Sequence, residues 1–400
     1  MATAFSYPSF RLLWLSLLPG TLGMMMSVVA FGYVAYQLSG STTALAVVNA
    51  GWGVPMFLLS PIAGVVADRY ARRNVLLVTQ ALVGLTAVAA AVLIATGMIQ
   101  VWHLFVITLV QGSAFAFNIP ARQALIAELV EPAHLASALA LYNAGQNFNR
   151  VAGPAIGGAL LTVESLGAGG VFATTAALFL VVLLMLPRLP ATAVGPPGGR
   201  PRRSSSVFGQ FGVGLQYVAE RPVLRRLMLL AFLPLLFGMP YQSLMPALAA
   251  RVFRVDAAGL GALLTANGLG ALAGSLLLAA LSARGRLSRL QFIAGLAFGI
   301  GLVAFAVSGA FVPAVALVAV VGASSAAYTA VNNTLLMGHT PPEYHGRVMG
   351  VYMMTFAAMP LSTLPAAWVA DRLGLTPTLA ICGAVAALVV AVLGYRRGNG

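Results

Sequence analysis

Gly64-Val-Val-Ala-Asp68-Arg69-Tyr-Ala-Arg72-Arg73 separates two long apolar runs, 42–66 and 74–96. Each run matches the roughly 20 apolar residues that a helix needs to cross a bilayer. Three arginines and an acid packed between them belong where water begins, so the stretch reads as a turn between two membrane spans. Working outward, the same pattern recurs. Apolar runs bounded by turn residues or charge lie near 10–38, 42–66, 74–96, 101–121, 136–163, 169–187, 224–250, 259–283, 290–308, 313–337, 348–370 and 376–395. Backbone groups in lipid must be hydrogen-bonded within the span, so runs of this length are helices. The composition agrees: 8% of the 400 residues are charged and 60% are hydrophobic, whereas soluble domains carry about 25% charged residues. A soluble enzyme is excluded.

One polar segment interrupts the series. It holds Gly195-Pro196-Pro197-Gly198-Gly199, then Arg200, Arg202, Arg203 and three serines, the composition of a flexible linker. It divides the chain into residues 1–187, a linker at 188–223, and residues 224–400. Six spans on each side are the arrangement of two repeated halves. A shift of 210 residues superposes Leu125, Pro132 and Tyr142 on Leu335, Pro342 and Tyr352. The first span is too long for a signal-peptide core and lacks a small-residue cleavage site, so it reads as retained.

The basic residues are 22 arginines and no lysine, against 8 acids, for a net charge of +14. On a soluble surface that balance would point to nucleic acid. Here it follows topology. With both termini and the linker on one side, that side holds every arginine except Arg251, Arg254 and Arg372 in the opposite loops and Arg150 within a span. The positive-inside rule then makes the termini cytoplasmic, in an inner (plasma) membrane whose anionic inner leaflet faces the arginines. No nucleic-acid partner is expected.

The turn from Gly64 to Arg73 resembles the signature loop of the major facilitator superfamily, Gly-x-Leu-Ala-Asp-Arg-x-Gly-Arg-Arg, with Ala71 in place of the usual Gly. The resemblance implies an all-α integral membrane fold of twelve transmembrane helices in two pseudo-symmetric six-helix bundles, working by alternating access. It also implies a cytoplasmic gate at Gly64, Asp68, Arg69, Arg72 and Arg73, with Arg347 at the start of the eleventh span. Topology alone explains the arginines but not the acid. Asp68 at a membrane boundary needs arginine partners or a helix N-terminus. The second-half counterpart, Ser282-Ala-Arg284-Gly-Arg286, has no acid, so an asymmetric gate is expected.

Within the fifth span Asn143, Gln146, Asn147 and Arg150 follow i, i+3, i+4, i+7 spacing and share one helix face. An arginine at a span centre costs about 2.5–3.5 kcal/mol against lipid, so this face is expected to line a polar cavity. Gly153-Pro154-Ala-Ile-Gly157-Gly158 follows, a segment for close helix packing with a proline kink. It resembles the fifth-helix motif of drug/proton antiporters, although two earlier glycines of that motif are Ala140 and Asn149 here; the resemblance implies export. In span four Gln111 and Asn118 share a face. Gln111-Gly112 resembles the end of the superfamily's Arg-x-x-Gln-Gly motif, with Thr108 at the arginine position, so Arg150 is left to compensate from the next helix. Tyr328 and Asn332 in span ten and Asn267 in span eight are further cavity candidates, with interhelical bonding as their other reading. The segment through Gly158 resembles the transmembrane secretion effector branch, which includes enterobactin-exporter-like and macrolide-efflux-like proteins.

His103, His134, His339 and His345 show no metal spacing, and Cys382 is the sole cysteine. No metal, cofactor or catalytic residue is expected, and without lysine there is no nucleotide-binding Gly-Lys-Ser/Thr loop. The chain reads as a monomeric secondary transporter exporting an amphipathic small organic molecule, a drug-like compound or a siderophore, coupled to protons. An importer or uniporter is the alternative that Thr108 motivates. A membrane sensor or lipid-handling protein of the same fold is the alternative from another class.

Overall fold

The computed structural model describes residues 4–190, 207–282, 287–341, 344, 347–349, 351–352 and 359–395. Among them are fourteen α-helices and no strand: α1 (Pro8–Ser39), α2 (Thr42–Arg69), α3 (Arg72–Ala95), α4 (Val101–Leu129), α5 (Leu135–Leu161), α6 (Gly167–Met185), α7 (Val207–Glu220), α8 (Pro222–Gly238), α9 (Pro240–Arg251), α10 (Ala257–Ser282), α11 (Leu287–Val307), α12 (Phe311–Gly338), α13 (Met359–Leu373) and α14 (Leu375–Tyr395). Ten helical stretches among the described residues are long and apolar enough to cross a membrane.

Local chemistry sets the ends. Proline opens α1, α8 and α9 at the first helical turn, where its missing N–H costs nothing. Gly40 stops α1 in the left-handed region at φ 60°, its N–H donating to the Tyr36 carbonyl, the usual C-terminal glycine stop.

The helices are built inside out relative to those of a soluble protein. On α3 the exposed face carries Val78, Leu82, Leu85, Val88 and Val92. Its buried face includes Thr79, Gln80 and Thr86. In water that arrangement would be penalised twice, by exposed apolar area and by buried polar groups. In lipid the outward face needs no water, and the polar groups hold helices together.

The chain forms two compact units. The first comprises residues 1–40, 47–200 and 256–265; the second comprises 41–46, 201–255 and 266–400. The first has a core of Phe10, Leu13, Leu17, Leu76, Leu125, Ile126 and Val182, drawn from α1, α3, α4 and α6. The second has Leu224, Leu227, Leu335, Leu336 and Tyr352 at its centre.

The second unit also has a close helix crossing. A side chain on Gly270 or Gly274 of α10 would run into the backbone carbonyls of Ala319 or Ala323 of α12, and Gly322 faces the Asn267 carbonyl in return. Small residues four apart let helices approach this closely in lipid.

Two expectations change. Residues 188–223 are not wholly a flexible linker, because 207–220 form α7. Tyr217 and Val218 of α7 are buried in the second unit's core, so apolar burial fixes this part of the connection; residues 191–206 lie outside the described residues. The fourth helix runs past the expected end of its span at 121 to Leu129, so Arg122 lies within α4 and is only 2% exposed.

Arginines brace both units. Arg73 at the start of α3 donates to the carbonyl of Leu189 at 3.0 Å and reaches that of Pro187, just past α6. Arg226 on α8 donates to the carbonyls of Leu393 and Gly394 at the end of α14. Each guanidinium closes a helix end whose last carbonyls lack intrahelical donors.

Candidate functional site

The stripe on α5 occupies a helix held from one side. Asn149 is buried and donates to the Leu18 carbonyl and to Thr21 Oγ1 of α1. Gly153 and Gly157 lie against the backbone of Met25 and Met26 on the same helix. With α5 fixed on α1, Asn143 and Arg150 remain exposed, and Gln146 and Asn147 are half-buried. Gln146 donates to Tyr142 Oη at 3.0 Å, one turn back along α5. Among the described residues Arg150 has no hydrogen bond or ion pair. Two turns on, Gly158 meets the residues that open α10. A Cβ there would stand 2.7 Å from Gly261 Cα and 3.1 Å from the Ala257 carbonyl. Pro154 lies inside the helix, between these contacts. The stripe and the glycine segment thus form one continuous structure: glycines clamp α5 while its polar face stays open.

Gln111 and Asn118 face elsewhere. Both are buried on α4, and both donate to threonines of α3: Gln111 to Thr86 Oγ1 at 3.1 Å and Asn118 to Thr79 Oγ1 at 2.9 Å. The spacing is seven residues on each helix, so the bonds form two rungs of an antiparallel ladder. Thr108 donates to the Val48 carbonyl of α2 at 2.8 Å, again as a bridge between helices. These side chains are thus engaged in bonds between helices, the two amides donating to buried hydroxyls of α3. Asn118→Leu should lower stability by about 1 kcal/mol, the scale of hydrogen bonds between membrane helices, read as a lower melting temperature in detergent with substrate affinity unchanged. A shift in affinity without a shift in melting would return Asn118 to the cavity.

In the second unit Tyr328 is fully buried and donates to the Leu230 carbonyl at 2.6 Å. The buried Asn332 accepts from Gln291 of α11, while its own amide nitrogen has no partner among the described residues. Asn267 donates to Tyr241 Oη at 2.7 Å and lies 3.4 Å from the Val318 carbonyl. These three bind α8, α9, α10, α11 and α12 together. Thr79, Thr86, Tyr241 and Gln291, which complete the bonds, escape a reading of helix faces because each looks like an ordinary span residue. Their only signal is that their partners need one.

At the turn between α2 and α3, Arg72 pairs with Glu128 at the end of α4, and Arg73 braces the end of α6. Gly64, Asp68 and Arg69 lie outside the residues whose side chains are described. Arg347 stands 5.1 Å from the Tyr344 ring, which stacks on Tyr217 of α7 at 3.9 Å, and Arg221 covers Tyr217 at 3.5 Å. Arg347 is thus tied through Tyr344 to α7. No cluster among the described residues has the composition of a metal site.

Comparison with known proteins gives this geometry a context. The family model described as transmembrane secretion effector matches residues 2–398. The multidrug efflux pump Tap of Mycolicibacterium fortuitum is 27% identical, with 93% of this chain and 91% of that protein covered. The enterobactin exporter EntS of Salmonella typhimurium is 27% identical over 87% of this chain and 82% of its own length. The staphyloferrin A transporter of Staphylococcus aureus is 23% identical over 90% and 89%. Among solved structures, the nucleoside transporter NupG superposes with a TM-score of 0.77 at 12% identity, covering 98% of this chain and all of that one, a likeness of fold alone. The chain belongs to the transmembrane secretion effector family and is a multi-pass membrane transporter of the major facilitator type, not an enzyme.

Proposed function

We propose that this transporter exports an amphipathic small organic molecule, a drug-like compound or a siderophore, from the cytoplasm by alternating access. The observation that carries the reading is the open polar face of α5, with Arg150 at its end and the glycine segment anchoring the helix one to two turns further on. Substrate enters a cavity lined by Arg150, Asn147, Gln146 and Asn143. The relatives, a multidrug pump and siderophore transporters, support this substrate class. The ten apolar stretches, with α5 and α13 added, make twelve spans in two six-helix halves joined through 188–223. The arginine bias places both termini in the cytoplasm of an inner membrane, and a monomer suffices for the cycle.

Protons are the proposed driving partner, because the chain carries no nucleotide-binding loop. Asp68 and Arg69, with Arg72, Arg73 and Arg347, make up the cytoplasmic gate. In everted vesicles energised by respiration, uptake of a fluorescent amphipathic dye should exceed that of vesicles lacking the protein and collapse on adding an uncoupler. Uptake that persists with the uncoupler would overturn proton coupling. Dye entry driven only by its own gradient would favour the uniporter that Thr108 motivates.

A further inference from the structure

Asp371 stands at the C-terminal end of α13, where the helix dipole disfavours an anion. Gly374 ends the helix three residues later with φ 94°. The carboxylate has a better site on another helix. It accepts the backbone N–H groups of Thr42 and Thr43 at 3.0 Å each, both threonine hydroxyls at 2.7 Å, and Ser41 Oγ at 2.9 Å. Thr42 is completely buried, and its hydroxyl also lies 2.8 Å from the Ala367 carbonyl. The acid of α13 therefore caps the first turn of α2, the end at which a negative charge is favoured. Its neighbour does not neutralise it, because the Arg372 guanidinium lies 3.8 Å above the Trp368 ring.

We infer that Asp371 is a latch residue of the transport cycle, holding the first turn of α2 on α13 and releasing it when the side of the protein opposite the termini opens. The inference rests on the proposed alternating-access function. Two further observations support it. Residues 41–46 group with the second unit while the rest of α2 groups with the first, so the clasp lies within the second unit and holds this first turn there. The sequence also repeats: Val66-Ala-Asp68-Arg69 ends α2, and Val369-Ala-Asp371-Arg372 ends α13. The Ala-Asp-Arg core of the proposed cytoplasmic gate thus recurs at the far end of the helix that meets the start of α2. Among the described residues, every hydrogen bond on the Asp371 carboxylate comes from Ser41, Thr42 or Thr43, and the latch opens by exchanging these bonds for water.

The test reads accessibility and needs no substrate, so it stands apart from the transport assay. With Cys382→Ser as background, Ala46→Cys places a thiol just behind the latch, at a site that is fully buried. A membrane-impermeant maleimide is applied to whole cells. Asp371→Ala, and separately Thr42→Val with Thr43→Val, should raise the labelling rate about tenfold, as expected when a local opening is freed. Phe298→Cys, in the core of α11, should stay unlabelled in each case. Equal labelling with and without Asp371 would overturn the latch. A parallel rise at Phe298→Cys would overturn it too, since Asp371 would then merely hold the fold together. Hydrogen exchange at residues 41–46 in purified protein tests the same point without cysteines: faster exchange in Asp371→Asn supports the latch, and unchanged exchange sinks it.

Discussion

Arg150→Ala should lower the initial rate of energised export by roughly tenfold or more, the loss of about 1.4 kcal/mol of interaction, with the amount of protein in the membrane unchanged. The expectation follows from how α5 is held. Asn149, Gly153 and Gly157 fix the helix on α1, whereas the Arg150 side chain is exposed, so removing it takes away none of these contacts. Arg150 has no hydrogen bond or ion pair among the described residues. A membrane protein does not keep an arginine in a span without a use for it. The kinetics separate two uses. If the guanidinium binds an anionic group of the substrate, KM rises in Arg150→Ala and Arg150→Lys restores part of it. If it is a charge whose surroundings change between conformations, kcat falls at constant KM. Transport unaffected by Arg150→Ala would remove the residue from the mechanism and, with it, the main support for the proposed cavity.

The largest effect on folding should come from Gly270→Leu. The leucine would be driven into the Ala319 carbonyl of α12, and two further close approaches, at Gly274 and Gly322, lock the same crossing. A flexible side chain can turn away from an intruding group, whereas a helix backbone cannot. Overpacking costs about 1–3 kcal/mol where side chains can adjust, and this site belongs at the upper end of that range or above it. Most of the folded protein should vanish from membranes, and the fraction recovered should melt at a lower temperature. Gly338→Ala is the control, since nothing lies within 4 Å of a Cβ there, and it should be silent. A wild-type melting curve for Gly270→Leu would mean that α10 and α12 do not cross as described.

The residues that could be read directly were those whose chemistry conflicts with lipid. Arg150, Asn143 and the turn at Asp68 stand out because each is costly in a bilayer unless it has a defined place. Helical spacing then put the stripe on one face. That logic is silent on the partners of Gln111 and Asn118, because periodicity identifies a face but not what lies across from it. Their partners, Thr79 and Thr86, sit on α3 among apolar residues and give no warning. The helix α7 was hidden for a different reason: glycine, proline and arginine upstream of it dominate the composition of the segment, while a few apolar residues, Tyr217 and Val218 among them, decide its fold by burial. Asp371 sits beside Arg372, one of the arginines of the opposite loops, and nothing in its neighbourhood in the sequence marks it out. Its role depends on a segment more than 320 residues away, which no local pattern can reveal.

The arginine braces bear on the composition as well as on the fold. Arg73 and Arg226 each reach two main-chain oxygens from different residues at the end of another helix. A planar guanidinium can span both, whereas an ammonium is a compact point charge that does not match such a fork. At these two positions an exchange to lysine would keep the charge, and so the topology, yet undo the strut. Orientation in the membrane needs only positive charge, which either residue supplies. The preference for arginine in this chain therefore carries a second requirement, mechanical stiffness, written in the same letters as the topology.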